Sequence, residues 1–386
     1  MRYEYENGVL TLHLEGSVDT NNAEQVGAEI AAARSEYPEG KVVIDADELN
    51  YISSAGLRQI LRLKKKEADL KIVNCNSEIY EIFSMTGFTE MMDIEKGYRH
   101  LSVEGCEVIG EGSNGIVYRI NPDTILKVYK NPDALEDIKR ERELAKRALV
   151  MGVNTAIPFD VVKVGDKFGS VFELLNSKSI TKLILQDPDN IDHYVKIYAD
   201  MLKEIHGTEV SSDALPDAKK AARDRAEWLK GHIPDETCDK LLKLIDEIPE
   251  HHYMIHGDYH CSNVHYGNGE AILLDMDTLS WGHPILEFAS IYLAYCGFGE
   301  LNHDNITNFL KIDWDLAQQI MAKLFDFYFE GKDEDFKASV LEKAKVLGYA
   351  RVLRRTIKRD PDNKEYIDYY RKQLIDYVAK TDTLLY

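Results

Sequence analysis

The sequence predicts an α/β protein in two parts: a small α/β domain, then a two-lobed α+β domain whose C-terminal lobe is large and helical. Three observations predict it. Strand-like and helix-like segments alternate through the first hundred residues, the pattern of a sheet with parallel pairs. Three short strands then gather around a glycine-rich turn near residue 110. The stretch 219–250 and nearly everything after residue 300 repeat apolar residues at helical spacing with charges between them.

In the first part, Tyr3 and Tyr5 precede an Asn7-Gly8 turn, and Leu10, Leu12 and Leu14 alternate with polar residues beyond it. That is a hairpin with a two-residue turn. Residues 20–40 carry capping residues, Val26 and Ile30 four apart, and a Pro-Glu-Gly stop, so they read as a surface helix. Residues 41–49 (KVVIDADEL) read as a strand, and 55–69 as a helix with Leu57, Ile60 and Leu61 on one face. Strand and helix signals recur in LKIVNC (70–75) and SEIYEIFSMTGF (77–88). Between strand and helix, YISSAGL (51–57) places Ser54 where it would either cap the helix or hold a phosphate at the helix N-terminus.

The second part opens with Gly110-x-Gly112-Ser113-x-Gly115-x-Val117 between two strands. A dinucleotide-binding turn of this spacing needs a helix after it. A strand follows instead, which favours the kinase-type hairpin whose backbone amides approach phosphates. Lys127, on the third strand, is then placed to hold the α and β phosphates. The carboxylate-rich helix 133–152 supplies its partner, with Glu143 preferred and Glu141 the alternative. Glu173 to Leu175, at the end of a further strand, would offer backbone groups to adenine.

Residues 253–284 are the most informative. Asp258 and Asn263 lie five apart in a polar loop, an Asn268-Gly269 turn follows, and the next strand ends at Asp275. Phosphoryl transfer needs a carboxylate to orient the attacking hydroxyl and hard oxygen ligands for magnesium, and this stretch has both. Asp277 is either a further metal-side group or a strand-end charge. His256, His260 and His265 do not form a zinc pattern, because His-Glu-x-x-His and paired cysteines are absent; His256 reads as structural.

The net charge of −20 argues against a nucleic-acid partner, which needs a clustered basic surface. The most apolar run, 285–298, is too short for a membrane span and contains Glu287. Five scattered cysteines and a start without basic or apolar signal regions place the protein in the cytoplasm.

Two resemblances follow from these residues. The ISSAGL turn with its flanking strand and helix, and LKIVNCNSEIYEIFSMTGFTEMMDI, resemble a STAS domain, the fold of anti-sigma-factor antagonists, over residues 1–98. The resemblance implies a regulatory or partner-binding domain with Ser54 at the phospho-acceptor position, although Ser53 stands where that family has Asp. GEGSNGIV, ILKVYK, VFELL, HGDYHCSN and ILLDMD resemble, in order, the aminoglycoside phosphotransferase and choline kinase-like family, of protein-kinase-like fold, over residues 99–386. The lobes would meet near residue 175. That resemblance implies ATP under the 110–115 loop, Lys127 and Glu143 as the phosphate-positioning pair, Asp258 as catalytic base, and Mg2+ on Asn263 and Asp275. Where the family often has Asp in Gly-x-Pro-x-x-Asp, this chain has Glu287, expected to keep a structural role. The implied activity is phosphate transfer from ATP to a hydroxyl of a small molecule. The alternatives are phosphorylation of a protein serine, with Ser54 a candidate, in a partner-switching pathway, and a nucleotide-binding pseudokinase.

Overall fold

The computed structural model describes residues 1–112 and 114–386. Two compact units emerge: Met1–Gly105 with Val161–Gly169, and Cys106–Asp160 with Ser170–Tyr386. Among the described residues no helix is long and apolar enough to cross a membrane.

The first unit is built on a five-stranded sheet in the order Arg2–Glu6, Val9–His13, Lys41–Asp45, Lys71–Cys75, Asp93–Lys96. The first pair is antiparallel, closed by Asn7 and Gly8 at φ 51° and 80°; the other pairs are parallel. Leu10, Leu12, Ile44 and Ile72 point to one core, covered by the helices Ala23–Glu36, Ser54–Lys64 and Ser77–Met85. Two expectations are corrected. Residues 41–49 do not form one strand: the Asp47 N–H bonds the Asp45 carboxylate at 3.1 Å, turning the chain, and Leu49–Ile52 pairs instead with Gly16–Val18. The helix expected over 77–88 stops at Met85, because Gly87 takes a left-handed φ of 76° before the short helix Phe88–Met91.

The cap on the helix Ser54–Lys64 is also reassigned. Ser53, not Ser54, is the N-cap, its hydroxyl accepting the backbone N–H groups of Ala55 (3.2 Å) and Gly56 (3.4 Å). Ser54 is the first helical residue and is exposed.

In the second unit, Glu107–Glu111, Gly115–Asn121 and Thr124–Tyr129 are consecutive antiparallel strands. The helix Leu135–Val150 buries Ile138, Glu141, Leu144, Ala145 and Ala148. The helical remainder shares one core in which Tyr198, Tyr259, Phe288 and Tyr295 are fully buried. Burying one such ring stabilises by roughly 2–3 kcal/mol. Into this core is set the hairpin Val264–Gly267/Glu270–Leu273, turned by Asn268 and Gly269 at φ 54° and 85°. Its two ends bring the loop 256–263 and Asp275 to the same place.

Candidate active site

The glycine-rich turn is closed by the Gly112 N–H on the Gly115 carbonyl at 2.9 Å and by Lys130 Nζ on the Gly112 carbonyl at 2.9 Å. Gly115 must be glycine, since a Cβ there would stand 2.6 Å from the Val128 carbonyl oxygen of the neighbouring strand. Among the described residues, and its chain neighbours aside, nothing lies within 4 Å of where a Cβ on Gly112 would stand. Gly110 and Val117 face one another across the two strands. Ser113 lies outside the described residues. Glu173 ends the strand Lys167–Glu173 exposed, and Leu175 follows two residues later, half-buried.

Lys127 is the centre of the polar cluster. Its ammonium donates to Glu141 Oε1 at 3.1 Å and to Asp275 Oδ1 at 3.2 Å. Burial alone would lower its pKa, but the charges of Asp275 and Glu141 outweigh burial and raise it, so the amine is held as a cation. The same exchange holds Asp275 as a carboxylate: burial opposes its charge, Lys127 restores it, and the pKa falls. The partner on the helix is therefore Glu141 and not Glu143, whose exposed carboxylate takes Lys146 at 3.0 Å. Helical phase is the reason: Glu141 follows Ile138 by three and precedes Ala145 by four on the buried face, while Glu143 points away. Tyr129 completes the cluster, donating its hydroxyl to Glu141 Oε2 at 2.8 Å.

Asp275 stands in left-handed backbone (φ 64°, ψ 69°), which a non-glycine residue adopts at a cost of about 1–3 kcal/mol and which recurs at functional sites. The loop opposite is held from below. Glu287, fully buried, accepts the backbone N–H groups of His256 and Gly257, the latter at 3.0 and 3.1 Å, and the Ser290 hydroxyl at 2.9 Å. The extra methylene relative to Asp is thus accommodated in a structural role. Gly257 has φ 81° and a Cβ there would meet the Thr278 carbonyl oxygen at 2.8 Å. His256 donates Nε2–H to the Leu274 carbonyl at 3.0 Å, tying the loop to the strand before Asp275. The rings of Tyr198 and Tyr259 stack 4.7 Å apart, and Tyr295 accepts the Cys261 N–H at 2.9 Å.

On this frame Asp258 is partly exposed, its Oδ2 3.9 Å from the Nε2 of buried His260. Burial lowers the pKa of His260, so the imidazole is neutral. Asn263 spends its amide N–H on the Asp258 carbonyl at 3.0 Å, which leaves its side-chain oxygen as a free acceptor. His265 is apart, its ring Nδ1 3.3 Å from the Ser177 hydroxyl. Burial, then the charges of Asp275, Glu141 and Asp258, push Asp277 up to about 6. Negative charge is thus in excess at this end of the hairpin. A divalent cation fits that excess, and Asn263 and Asp275 present two hard oxygen donors, the kind that magnesium combines with substrate phosphates and water. Tyr129 and the tyrosine stack were missed as site residues because buried aromatics read as core.

Residues 105–318 match the phosphotransferase enzyme family, and residues 1–102 match the STAS domain. The N-terminal part is 36% identical over 92 residues to BtrV of Bordetella bronchiseptica, named as a candidate anti-sigma factor antagonist; the match spans 23% of this chain and 78% of that protein. Among solved structures, the chain is similar to a thermostable mutant of aminoglycoside phosphotransferase APH(4)-Ia in ternary complex with ADP and hygromycin B. The TM-score is 0.51 at 13% identity, over 72% of this chain and 94% of that one. The apo form of a thermostable mutant of that enzyme aligns with a TM-score of 0.50 at 14% identity, over 72% and 97%. At such identities the likeness is one of fold.

Proposed function

Because the chain belongs to the phosphotransferase enzyme family, we propose that it transfers the γ-phosphate of ATP to a hydroxyl of a small molecule, with magnesium as cofactor. The observation that carries this reading is Lys127 held between Glu141 and Asp275. Lys127, fixed by Glu141, positions the α and β phosphates; the 110–115 turn covers them with backbone amides, and Glu173 to Leu175 receive the adenine. Asp258 accepts the proton of the acceptor hydroxyl as its oxygen bonds to the γ-phosphorus. The bond from that phosphorus to the β–γ bridging oxygen breaks, leaving ADP, and the proton passes to solvent. Magnesium, held by Asn263 and Asp275, would neutralise the phosphate oxygens.

The test is calorimetric titration with Mg-ATP alongside an ADP-release screen of the whole chain against aminoglycosides, amino alcohols, sugars and nucleosides. Binding that is lost in Asp275→Ala, with ADP release on at least one acceptor, is expected. Mg-ATP affinity unchanged in Asp275→Ala overturns the reading, and binding with no turnover on any acceptor makes the protein a pseudokinase.

A second reading has one observation in its favour: Ser54 is exposed at a helix N-terminus whose cap Ser53 already supplies. A phosphate on Ser54 would stand at the positive end of the helix dipole, where it would compete with the Ser53 hydroxyl for the Ala55 and Gly56 N–H groups. In that reading the STAS domain is a switch that a kinase writes on, this chain's own or a partner's. Intact mass and peptide mapping after incubation with ATP decide whether this chain is the writer; an unmodified Ser54 beside a phosphorylated small molecule eliminates that version.

A further inference from the structure

A cavity of about 300 Å³ opens in the second unit, lined in part by Phe298, Phe309, Arg355, Arg359, Asn363 and Tyr366. It begins next to the proposed base: the Phe309 ring packs edge-on against His260 at 5.0 Å, and His260 is the residue 3.9 Å from Asp258. Its position makes it the place for the acceptor, and its size, at the lower end for ligand pockets, suits a molecule of about monosaccharide dimensions.

Its charge is the opposite of the chain's. The last turns of the helix Glu334–Arg359 carry Arg351, Arg354, Arg355, Lys358 and Arg359, and Arg225 joins them from the helix Ala218–Trp228. Among the described residues, none of these five arginines has a carboxylate within 4.0 Å, although the protein carries a net charge of −20. Three of them have other occupations: Arg351 donates to the Gly257 carbonyl at 2.7 Å, Arg225 to the Ala221 carbonyl at 3.0 Å, and Arg354 lies over the Trp228 ring at 5.5 Å. Arg355, over the Phe298 ring at 4.9 Å, and Arg359 are left facing the cavity. Burial first, then Arg351 and Arg354, push Arg225 down to about 9, and burial, then Arg359 and Arg351, lower Arg355 against the opposing charge of Asp258. Like charges gathered without a carboxylate in ion-pairing contact, only Asp258 and Asp224 acting on Arg355 and Arg225 from further off, are unfavourable in the free protein and become favourable when an anion arrives. The one carboxylate lining the cavity, Asp360, is engaged by Asn363 Nδ2 at 3.0 Å.

We propose that the hydroxyl acceptor carries an oxyanion, a carboxylate or a phosphate, bound by the guanidinium groups of Arg355 and Arg359, with its carbon skeleton against Phe298, Phe309 and Tyr366. The planar guanidinium fork matches either anion, and the aromatic walls match a compact carbon skeleton. A cationic acceptor such as an amino alcohol or an aminoglycoside would face these arginines and be repelled. The phosphate transfer rests on the function proposed above; the anion site does not, and the two are tested apart.

The experiment has a turnover arm and a binding arm, both on the full chain. ADP release is measured with hydroxy acids (glycerate, gluconate), sugar phosphates (ribose 5-phosphate, glucose 6-phosphate), neutral polyols, and cations (choline, kanamycin). Turnover confined to the hydroxy acids or the sugar phosphates is expected, and which of the two responds identifies the anion. Arg355→Leu should raise the KM of that acceptor by about 10- to 100-fold, the loss of one charge-assisted hydrogen bond, with Arg355→Lys recovering part and the KM for ATP unmoved. Preference for neutral or cationic acceptors, or a KM indifferent to Arg355→Leu, overturns the proposal. In the binding arm the same anions are added without ATP and thermal stabilisation is read in wild type and in the Arg355→Leu/Arg359→Leu double variant. Stabilisation lost in the double variant but without ADP release keeps the anion site and overturns phosphate transfer to it. Stabilisation that none of the anions produces, or that survives the double variant, overturns the anion site whatever ADP release shows.

Discussion

Two groups of cations flank the loop 256–263, and they are treated in opposite ways. Lys127 sits between Glu141 and Asp275, each partner satisfied before any ligand arrives. Arg355 and Arg359 line an open cavity with no carboxylate among the described residues within ion-pairing distance. The first arrangement fixes geometry in the free protein, at the expense of desolvating three charges. The second leaves charge available, so its energy appears only on binding. The largest effect should come where the two meet, at Asp258. Asp258→Asn should lower phosphate transfer by about 10²- to 10⁴-fold, the range for removing a general base, and leave Mg-ATP affinity within a few-fold by calorimetry. Turnover close to wild type would remove Asp258 from the chemistry and the contrast would lose its meeting point.

The paired side is tested next through its two candidate glutamates. Glu141→Gln should lower kcat/KM by about 10- to 100-fold, because Lys127 then loses one of the two charges that hold it. Glu143→Gln, at a solvated ion pair, should change it by less than about 2-fold. Equal effects would mean that the pair seen here does not persist in the working enzyme.

Stability should separate the two cation groups as well. Lys127→Met leaves Glu141 and Asp275 facing each other without a counter-ion and should destabilise the second unit by about 2 kcal/mol, given that all three side chains retain some exposure. Arg355→Leu removes a charge from a like-charged cluster and should leave stability within about 0.5 kcal/mol or raise it. Trp228, Trp281 and Trp314 all lie in the second unit and the first has no tryptophan, so fluorescence-detected urea unfolding reads this unit alone. A destabilised Arg355→Leu would show that this side chain holds the fold and is not waiting for a ligand.

The two regions also differed in how much of them the sequence disclosed. Asp258, Asn263 and Asp275 were legible because one hairpin joins them within eighteen residues, so local turn chemistry implies their convergence. The choice of Glu143 over Glu141 failed for a physical reason: the helix has many carboxylates, and only the phase set by Ile138 and Ala145 tells which one is buried. Ser53 and Ser54 were likewise separable only by backbone geometry, since either can cap in principle. The alternating strands of the first unit were plain from period-two patterning, whereas the break after Asp45 depended on a side-chain turn that patterning does not report. The arginine cluster was illegible for a different reason. On an exposed helix such residues read as solvated charge, the net charge of −20 has the opposite sign, and Phe298 and Phe309 reach the cavity from segments some fifty residues away.

The smallest effect concerns what supports the paired side from beneath. His206 is almost fully buried, its Nδ1 2.7 Å from the Tyr328 hydroxyl and its Nε2 4.0 Å from Glu287, the carboxylate that holds the loop. Burial, reinforced by His251 and His283, pushes its pKa down to about 3. The folded value lies below the unfolded value near 6.5, so the unfolded chain takes up the proton first and stability is lost as pH falls from about 6.5 toward 3. His206 alone should therefore destabilise the second unit by about 1 kcal/mol between pH 7 and pH 5.5. His265 and His283, both pushed down to about 4 by burial first, add to the same slope. Arginine does not titrate in this window, so the cavity keeps its charge while the fold beneath the loop weakens. Urea unfolding followed by tryptophan fluorescence at the two pH values should show the loss in wild type and a loss about 1 kcal/mol smaller in His206→Asn. If the two proteins lose stability equally, the acid sensitivity belongs elsewhere and His206 is not part of what supports the loop.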